Sequence, residues 1–194
     1  MRVDMMRKAR LTTVLLLVAA CSAPTETPGQ ISDGDGTQTS PLSFVQVPQG
    51  FEASIFAAGL SGVRMLEMGP DDRLYAVRSA AGEVVRFDLN ADGTANGTPT
   101  AVVSGLSLPY GLAFRSGDLY VGETHQVIRM SGPDFTQETI IVGLPVGRDH
   151  WTREIVFGPD DQLYVSIGST CNICEEADER RAAVVRYAAD GSGE

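Results

Sequence analysis

Three stretches of this chain repeat one another, and that repeat limits the fold more than any other feature of the sequence. RMLEMGPDDRLYAV from Arg64, YGLAFRSGDLYVG from Tyr110 and REIVFGPDDQLYVS from Arg153 align on the pairs Leu74-Tyr75, Leu119-Tyr120 and Leu163-Tyr164, which lie 45 and 44 residues apart. A Gly-Leu pair precedes each copy (Gly59-Leu60, Gly105-Leu106, Gly143-Leu144), and a β-rich segment follows each: EVVRFD from Glu83, QVIRM from Gln126 and AVVRY from Ala183. A period of about 45 residues holding several short strands is the signature of a propeller blade. The polar turns Pro70-Asp71-Asp72, Ser116-Gly117-Asp118 and Pro159-Asp160-Asp161 join two strands of one blade. The apolar positions before them (Leu66 and Met68, Leu112 and Phe114, Ile155 and Phe157) alternate, as an inner strand buried on one face should. A generic β-sandwich with chance similarity is the competing reading, and it does not explain agreement at several positions per copy.

The fold class expected is therefore all-β, a β-propeller, with its domain spanning 42–194. Propellers close with about 4–8 blades, and three copies leave an open arc with unpaired edges. The expectation is an incomplete arc of about three blades, truncated from a longer propeller.

The N-terminus reads differently. Residues 2–10 are basic, and LTTVLLLVAA over 11–20 is an apolar run too short to cross a membrane. Residues 1–20 read as a secretory signal, and Val18-Ala19-Ala20-Cys21 resembles a bacterial lipobox, which makes Cys21 the expected lipidation site. Residues 21–41 are rich in Ser, Thr, Pro, Gly and Asp, and read as a flexible tether that cannot bury a core. The expected location is the bacterial cell envelope, with the membrane as a partner through the lipid.

Charge removes one class of partner. The formal net charge is −10, and the chain's one lysine, Lys8, lies in the signal. With no basic stripe to neutralise phosphates, nucleic acid is excluded.

In a repeat protein, residues that recur serve the fold and those that do not are candidates for function. Three residues upstream of Arg64, Tyr110 and Arg153 stand Ser61, Ser107 and His150. His150 is the exception, in the loop entering an inner strand, where propellers gather ligands. Its imidazole can serve as a general base near neutral pH, and Asp149 beside it can orient a hydroxyl-bearing substrate. A surface His-Asp turn is the alternative. The chain's other histidine, His125, lies in a hairpin turn and reads as structural. Asp88-Leu89-Asn90-Ala91-Asp92-Gly93 opens like a calcium loop, but its twelfth position is Pro99, so a hairpin turn is the better reading. Cys171-Asn172-Ile173-Cys174 is followed by Glu175, which rules out c-type haem attachment, and too few further ligands surround it for zinc. A local disulfide between Cys171 and Cys174 is the favoured reading, and a redox-active pair the other.

Together, VPQGFEASIFAAGLSGVRMLEMGPDDRLYAV, GLSLPYGLAF, GLPVGRDHWTREIVFGPDDQLYVSIGSTCNIC and ERRAAVVRYAADGSG resemble the N-terminal half of the soluble quinoprotein glucose/sorbosone dehydrogenases, over about residues 43–194. The GSTCNIC segment and the RRAA stretch are most similar to the sorbosone branch. The resemblance implies a six-bladed propeller in which pyrroloquinoline quinone (PQQ) and calcium sit on the axial face. The substrate is then a sugar or aldehyde that passes hydride to PQQ; the electron acceptor beyond it stays unknown. His150 matches the family's base and Asp149 its sugar contact. Ser169 stands where the glucose enzymes carry an Asp that orients the base, which weakens the case for glucose as substrate. The cofactor-binding residues, both quinone clamps and calcium ligands, are expected beyond residue 194, so the chain by itself is expected to be inactive. A non-catalytic propeller lipoprotein that binds carbohydrate or a partner is the alternative. A calcium-dependent lactonase-like hydrolase is the weakest reading, because Ser61, Ser107 and His150 are not a metal set.

Overall fold

In the computed structural model, which describes residues 42, 44–147 and 149–193, the repeats become sheets. The first sheet is β1 (Val63–Met68), β2 (Leu74–Arg78), β3 (Glu83–Phe87) and β4 (Thr100–Ser104). The second is β5 (Gly111–Arg115), β6 (Asp118–Gly122), β7 (Val127–Ser131) and β8 (Thr136–Ile141). The third has three strands, β9 (Ile155–Phe157), β10 (Leu163–Ile167) and β11 (Ala183–Tyr187). Every pairing is antiparallel between strands adjacent in sequence. Among the described residues the one helical element is a 3-10 turn at Ser79–Ala81. The lead strands lie side by side, β5 against both β1 and β9, so the sheets fan from a common inner edge. This is an all-β arc of an incomplete propeller. The signal, Cys21 and nearly all of the tether lie outside the described residues.

Strand alternation sends each sheet's two faces to two different cores. Tyr75, Val77 and Val84 of the first sheet meet Leu112, Leu119, Val121, Ile128 and Met130 of the second. The other face of the second sheet, through Ala113, Tyr120, Val127 and Ile141, meets Ile155, Leu163, Val165, Ile167 and Tyr187 of the third. The outer face of the first sheet, with Ala76, Val85 and Phe87, is capped by Phe56 and Leu60 from the segment before β1. Val77, Leu119, Val121 and Leu163 are fully buried, each side chain contributing roughly 1.5–3 kcal/mol by leaving water. The recurrent Gly-Leu pairs serve these cores. Gly59, Gly105 and Gly143 all take positive φ, and the leucines that follow turn inward, with Leu106 and Leu144 buried. Met68 departs from the expected alternation: at the far end of β1 it is half exposed, because no neighbouring sheet covers it.

The tyrosines of the first two Leu-Tyr pairs link one blade to the next. Tyr75 sits edge-on to Phe114, and Tyr120 edge-on to Phe157, both at 4.8 Å between ring centroids. Such pairs add about 0.5–1.5 kcal/mol beyond area burial. The first and third tyrosines also explain the Gly-Pro-Asp-Asp turn. Tyr75 Oη donates to Asp71 Oδ2 at 3.0 Å, and Tyr164 Oη to Asp160 Oδ2 at 2.9 Å. Each ring lies where a side chain on the turn glycine would go: a Cβ at Gly69 would stand 2.5 Å from Tyr75 Cε2, and one at Gly158 2.7 Å from Tyr164 Cε2. The glycine is required by the clasp, not by its φ. Asp88–Gly93 forms a hairpin turn, with Asp92 Oδ1 accepting from Thr94 N and Oγ1 at 3.0 and 2.7 Å.

Gly69→Ala is expected to cost about 1–3 kcal/mol through overpacking, since the ring it meets is held in the core. A lowered urea midpoint with an unchanged slope would show this, and an unchanged midpoint would remove the clasp as the reason for the glycine.

Candidate functional site

The third blade departs from the other two at its entry loop. Leu144 anchors the start of that loop in the core, its N–H donating to His125 O at 3.0 Å. His125 thus sits in the β6–β7 turn, its carbonyl bound to the loop that leads to His150. The loop then runs exposed through Asp149 and His150 and re-enters the fold at Arg153, which is fully buried. Main chain locks it there: Gly111 N donates to Arg153 O at 2.9 Å, and Ser166 N to Glu154 O at 2.9 Å.

His150 adopts φ +46°, a left-handed conformation that is uncommon outside glycine. Its ring is not free. Nδ1 lies 3.2 Å from Ser169 O and 3.1 Å from Ser169 Oγ. The hydroxyl hydrogen of Ser169 is engaged, because Oγ donates to Cys171 O at 2.7 Å. Toward His150, then, both serine oxygens accept. A neutral imidazole in this setting carries its hydrogen on Nδ1 and leaves the Nε2 lone pair available to a proton. Asp149 is exposed beside it and, among the described residues, makes no side-chain hydrogen bond.

Gly168 makes the approach of ring to serine possible. A Cβ there would lie 2.5 Å from His150 Cβ and would collide with the His150 carbonyl oxygen. Cys171 and Cys174 form a disulfide just beyond, and Glu176 accepts from Thr170 N at 2.6 Å and Thr170 Oγ1 at 2.9 Å. The segment carrying Ser169 is therefore held at both ends.

Two arginines that do not stand out as site residues in the sequence complete the site. Arg153 Nη1 donates to His150 O at 3.3 Å and Thr152 O at 2.8 Å, and Nη2 to Pro145 O. Arg181 donates to Val146 O and, at 3.4 Å, to Gly168 O. Burial, then the nearby Arg181 charge, pushes the Arg153 guanidinium below its usual range. The one signal available in sequence was that Arg153 aligns with Tyr110 in the second copy, a change of chemistry at a position that ends up buried.

Nearer the inner strands, burial raises the carboxyls of Glu67 and Glu154, and for Glu154 the charge of Glu67 adds to the effect. Among the described residues, no group of three or more His, Cys, Asp or Glu is placed to hold a metal ion. The arrangement therefore leaves His150 Nε2 without a hydrogen-bond partner among the described residues, with the exposed Asp149 carboxylate next to it in the chain.

These antiparallel blades, fanned from a common inner edge, define an arc of a β-propeller. The chain belongs to the TrAA12-like family, whose model matches residues 45–188. Comparison with curated protein sequences finds no match. Among solved structures, the PQQ domain of pyranose dehydrogenase from Coprinopsis cinerea superposes with TM-score 0.65 at 18% identity, covering 73% of this chain and 37% of that one. The family AA12 enzyme of Trichoderma reesei gives 0.61 at 21%, covering 72% and 39%. The PQQ-bound aldose sugar dehydrogenase of Streptomyces coelicolor gives 0.56 at 19%, covering 70% and 47%. The chain thus spans less than half the length of each, and its fold is that of the PQQ-dependent sugar dehydrogenases.

Asp178 tests the support of the site. Hydrogen bonds from the Arg180 side chain and backbone hold its carboxyl down to about 2, and its carbonyl accepts from Arg181 N at 2.9 Å. With the folded value depressed, its stabilising contribution is complete above the ordinary aspartate range, near ~3.9, and disappears as pH falls through about 2. Carboxyl NMR titration is expected to place Asp178 near 2, and Arg180→Ala to move it upward.

Proposed function

We propose that this chain supplies the base-bearing sector of a quinoprotein sugar dehydrogenase acting on an aldose or sorbosone-type substrate. The observation that carries the proposal is the His150 ring held through Nδ1 against Ser169 O and Oγ, at 3.2 and 3.1 Å, with Nε2 left to accept a proton. Asp149, adjacent and exposed, binds a neighbouring hydroxyl of the sugar and presents the reacting one to Nε2. Proton acceptance of this kind is worth roughly 10²–10⁴ in rate. PQQ, when bound, supplies the hydride acceptor.

The described residues do not by themselves fit the cofactors. No metal cluster is present among them, and Arg153 and Arg181 are already turned onto backbone carbonyls. In this proposal the quinone clamps and calcium ligands are not drawn from the described residues. The 194-residue chain alone is accordingly expected to be inactive. The sorbosone branch is favoured over glucose by the GSTCNIC and RRAA segments, and by Ser169 at the orienting position.

The proposal includes export to the bacterial cell envelope and anchoring through Cys21. Among the described residues no helix is long and apolar enough to cross a membrane. Radiolabelled palmitate is expected to enter the wild-type chain and not Cys21→Ser.

For activity, a chain spanning the whole propeller, supplied with PQQ and calcium, is expected to reduce an artificial dye when given an aldose or aldose-derived aldehyde. His150→Ala is expected to lower that rate roughly 10²–10⁴-fold. Full activity in the variant would remove His150 as the base. Sugar binding without dye reduction would favour a non-catalytic carbohydrate-binding propeller.

A further inference from the structure

We propose that Arg153 and Arg181 are positioning residues: two buried guanidinium groups whose task is to hold the backbone at Pro145, Val146, His150 and Gly168 so that the His150 ring meets Ser169. The proposal rests on the reading of His150 as the base, and its test is chosen so that either can fail alone.

The energetics of the pair call for an explanation. Arg153 is fully buried and Arg181 is nearly so. Among the described residues neither has a carboxylate partner, and Arg153 Nε is buried without a hydrogen-bond partner. Two neighbouring cations buried without an anion are costly, and well-packed apolar residues of similar volume would often serve a core as well or better. The need does not come from the repeat. The positions aligned with Arg153 are Arg64, which is exposed, and Tyr110, which is half-buried, and the first two blades form without a buried cation there.

What the arginines gather is specific. Arg153 takes the carbonyls of Pro145, His150 and Thr152, one before the His150 turn and two within it. Arg181 takes Val146 O on the same loop and Gly168 O on the segment opposite. The five carbonyls bracket His150 from one side and Ser169 from the other. A guanidinium is suited to this, because its planar fork presents five donors in fixed directions. Backbone follows the same plan. A Cβ at Gly147 would stand 3.0 Å from Arg181 Nη2, and one at Gly168 would strike His150, so both glycines permit the close approach. The left-handed turn at His150 lies inside this frame, and strained backbone persists where its surroundings over-determine it.

The test uses the chain as it is, with neither cofactor nor substrate. The sequence holds two histidines, so ¹⁵N-histidine labelling gives one reporter at His150 and an internal reference at His125. In the wild-type chain, the neutral His150 ring is expected as the single tautomer with hydrogen on Nδ1. Arg153→Lys and Arg181→Lys keep charge and aliphatic stem but lose the fork, and each is expected to give a folded chain whose His150 becomes a mixture of tautomers while His125 is unmoved. Gly168→Ala, with both arginines intact, is expected to displace His150 in the same way. A single unchanged His150 tautomer in both lysine variants would overturn the proposal. Loss of folding in either lysine variant would overturn it too, since the guanidinium would then serve the fold rather than the loop. The readout is independent of turnover. If the tautomers mix as expected but His150→Ala keeps full dehydrogenase activity, the functional reading fails and the positioning role stands.

Discussion

The distance between successive blades at their inner edge is the constraint from which everything else follows. Gly111 of β5 donates its N–H to the carbonyl of Arg153 at 2.9 Å, and this bond stitches the second blade to the third. It demands bare backbone on one side: a Cβ at Gly111 would lie 2.5 Å from that oxygen, and one at Gly122 2.6 Å. With the blades held this close, the interleaved cores and the edge-on tyrosine pairs fall into place. Arg153 works twice here. Its main chain fixes where the third sheet sits, and its side chain turns back to organise the loop that carries His150.

Much of this was legible because it is local or repeated. The Leu-Tyr pairs, the Gly-Leu entries and the Asp-rich turns each report short-range geometry, and repetition averages out chance. The turn at Asp88–Gly93 was readable for the same reason, since its hydrogen bonds all close within a few residues. The candidate site was legible only in part. His150 stood out as the odd member of its aligned set, and Ser169 only through the family resemblance, as a serine where the glucose enzymes carry an Asp. Arg153 and Arg181 did not, because an arginine in an acidic chain reads as a solvated charge, and nothing in the sequence says that its partners will be carbonyls as far as 35 residues away. The role of Gly168 is likewise tertiary: it keeps open the space beneath a side chain 18 residues earlier. Met68 failed in the opposite sense, since an apolar residue in phase with a buried face finds nothing there to cover it.

Identities of 18–21% to the structural neighbours sit naturally beside this picture. A blade asks for alternation, a few left-handed glycines and one aromatic contact to its neighbour, and many sequences satisfy that list. What such a scaffold leaves unconstrained are the loops entering the inner strands, and it is there that the third blade differs from the first two.

Where the first and third blades keep a turn glycine for the tyrosine clasp, the shorter turn of the second has Arg115. That arginine reaches to the third blade, donating to Asp161 O and Oδ1 at 2.8 Å, and lies 5.1 Å above the Phe157 ring. The blades are therefore not interchangeable modules. Swapping the first with the second would keep every strand, yet leave Asp161 with no cation to meet, so the chain's own order is written into its surface as a key that fits one neighbour.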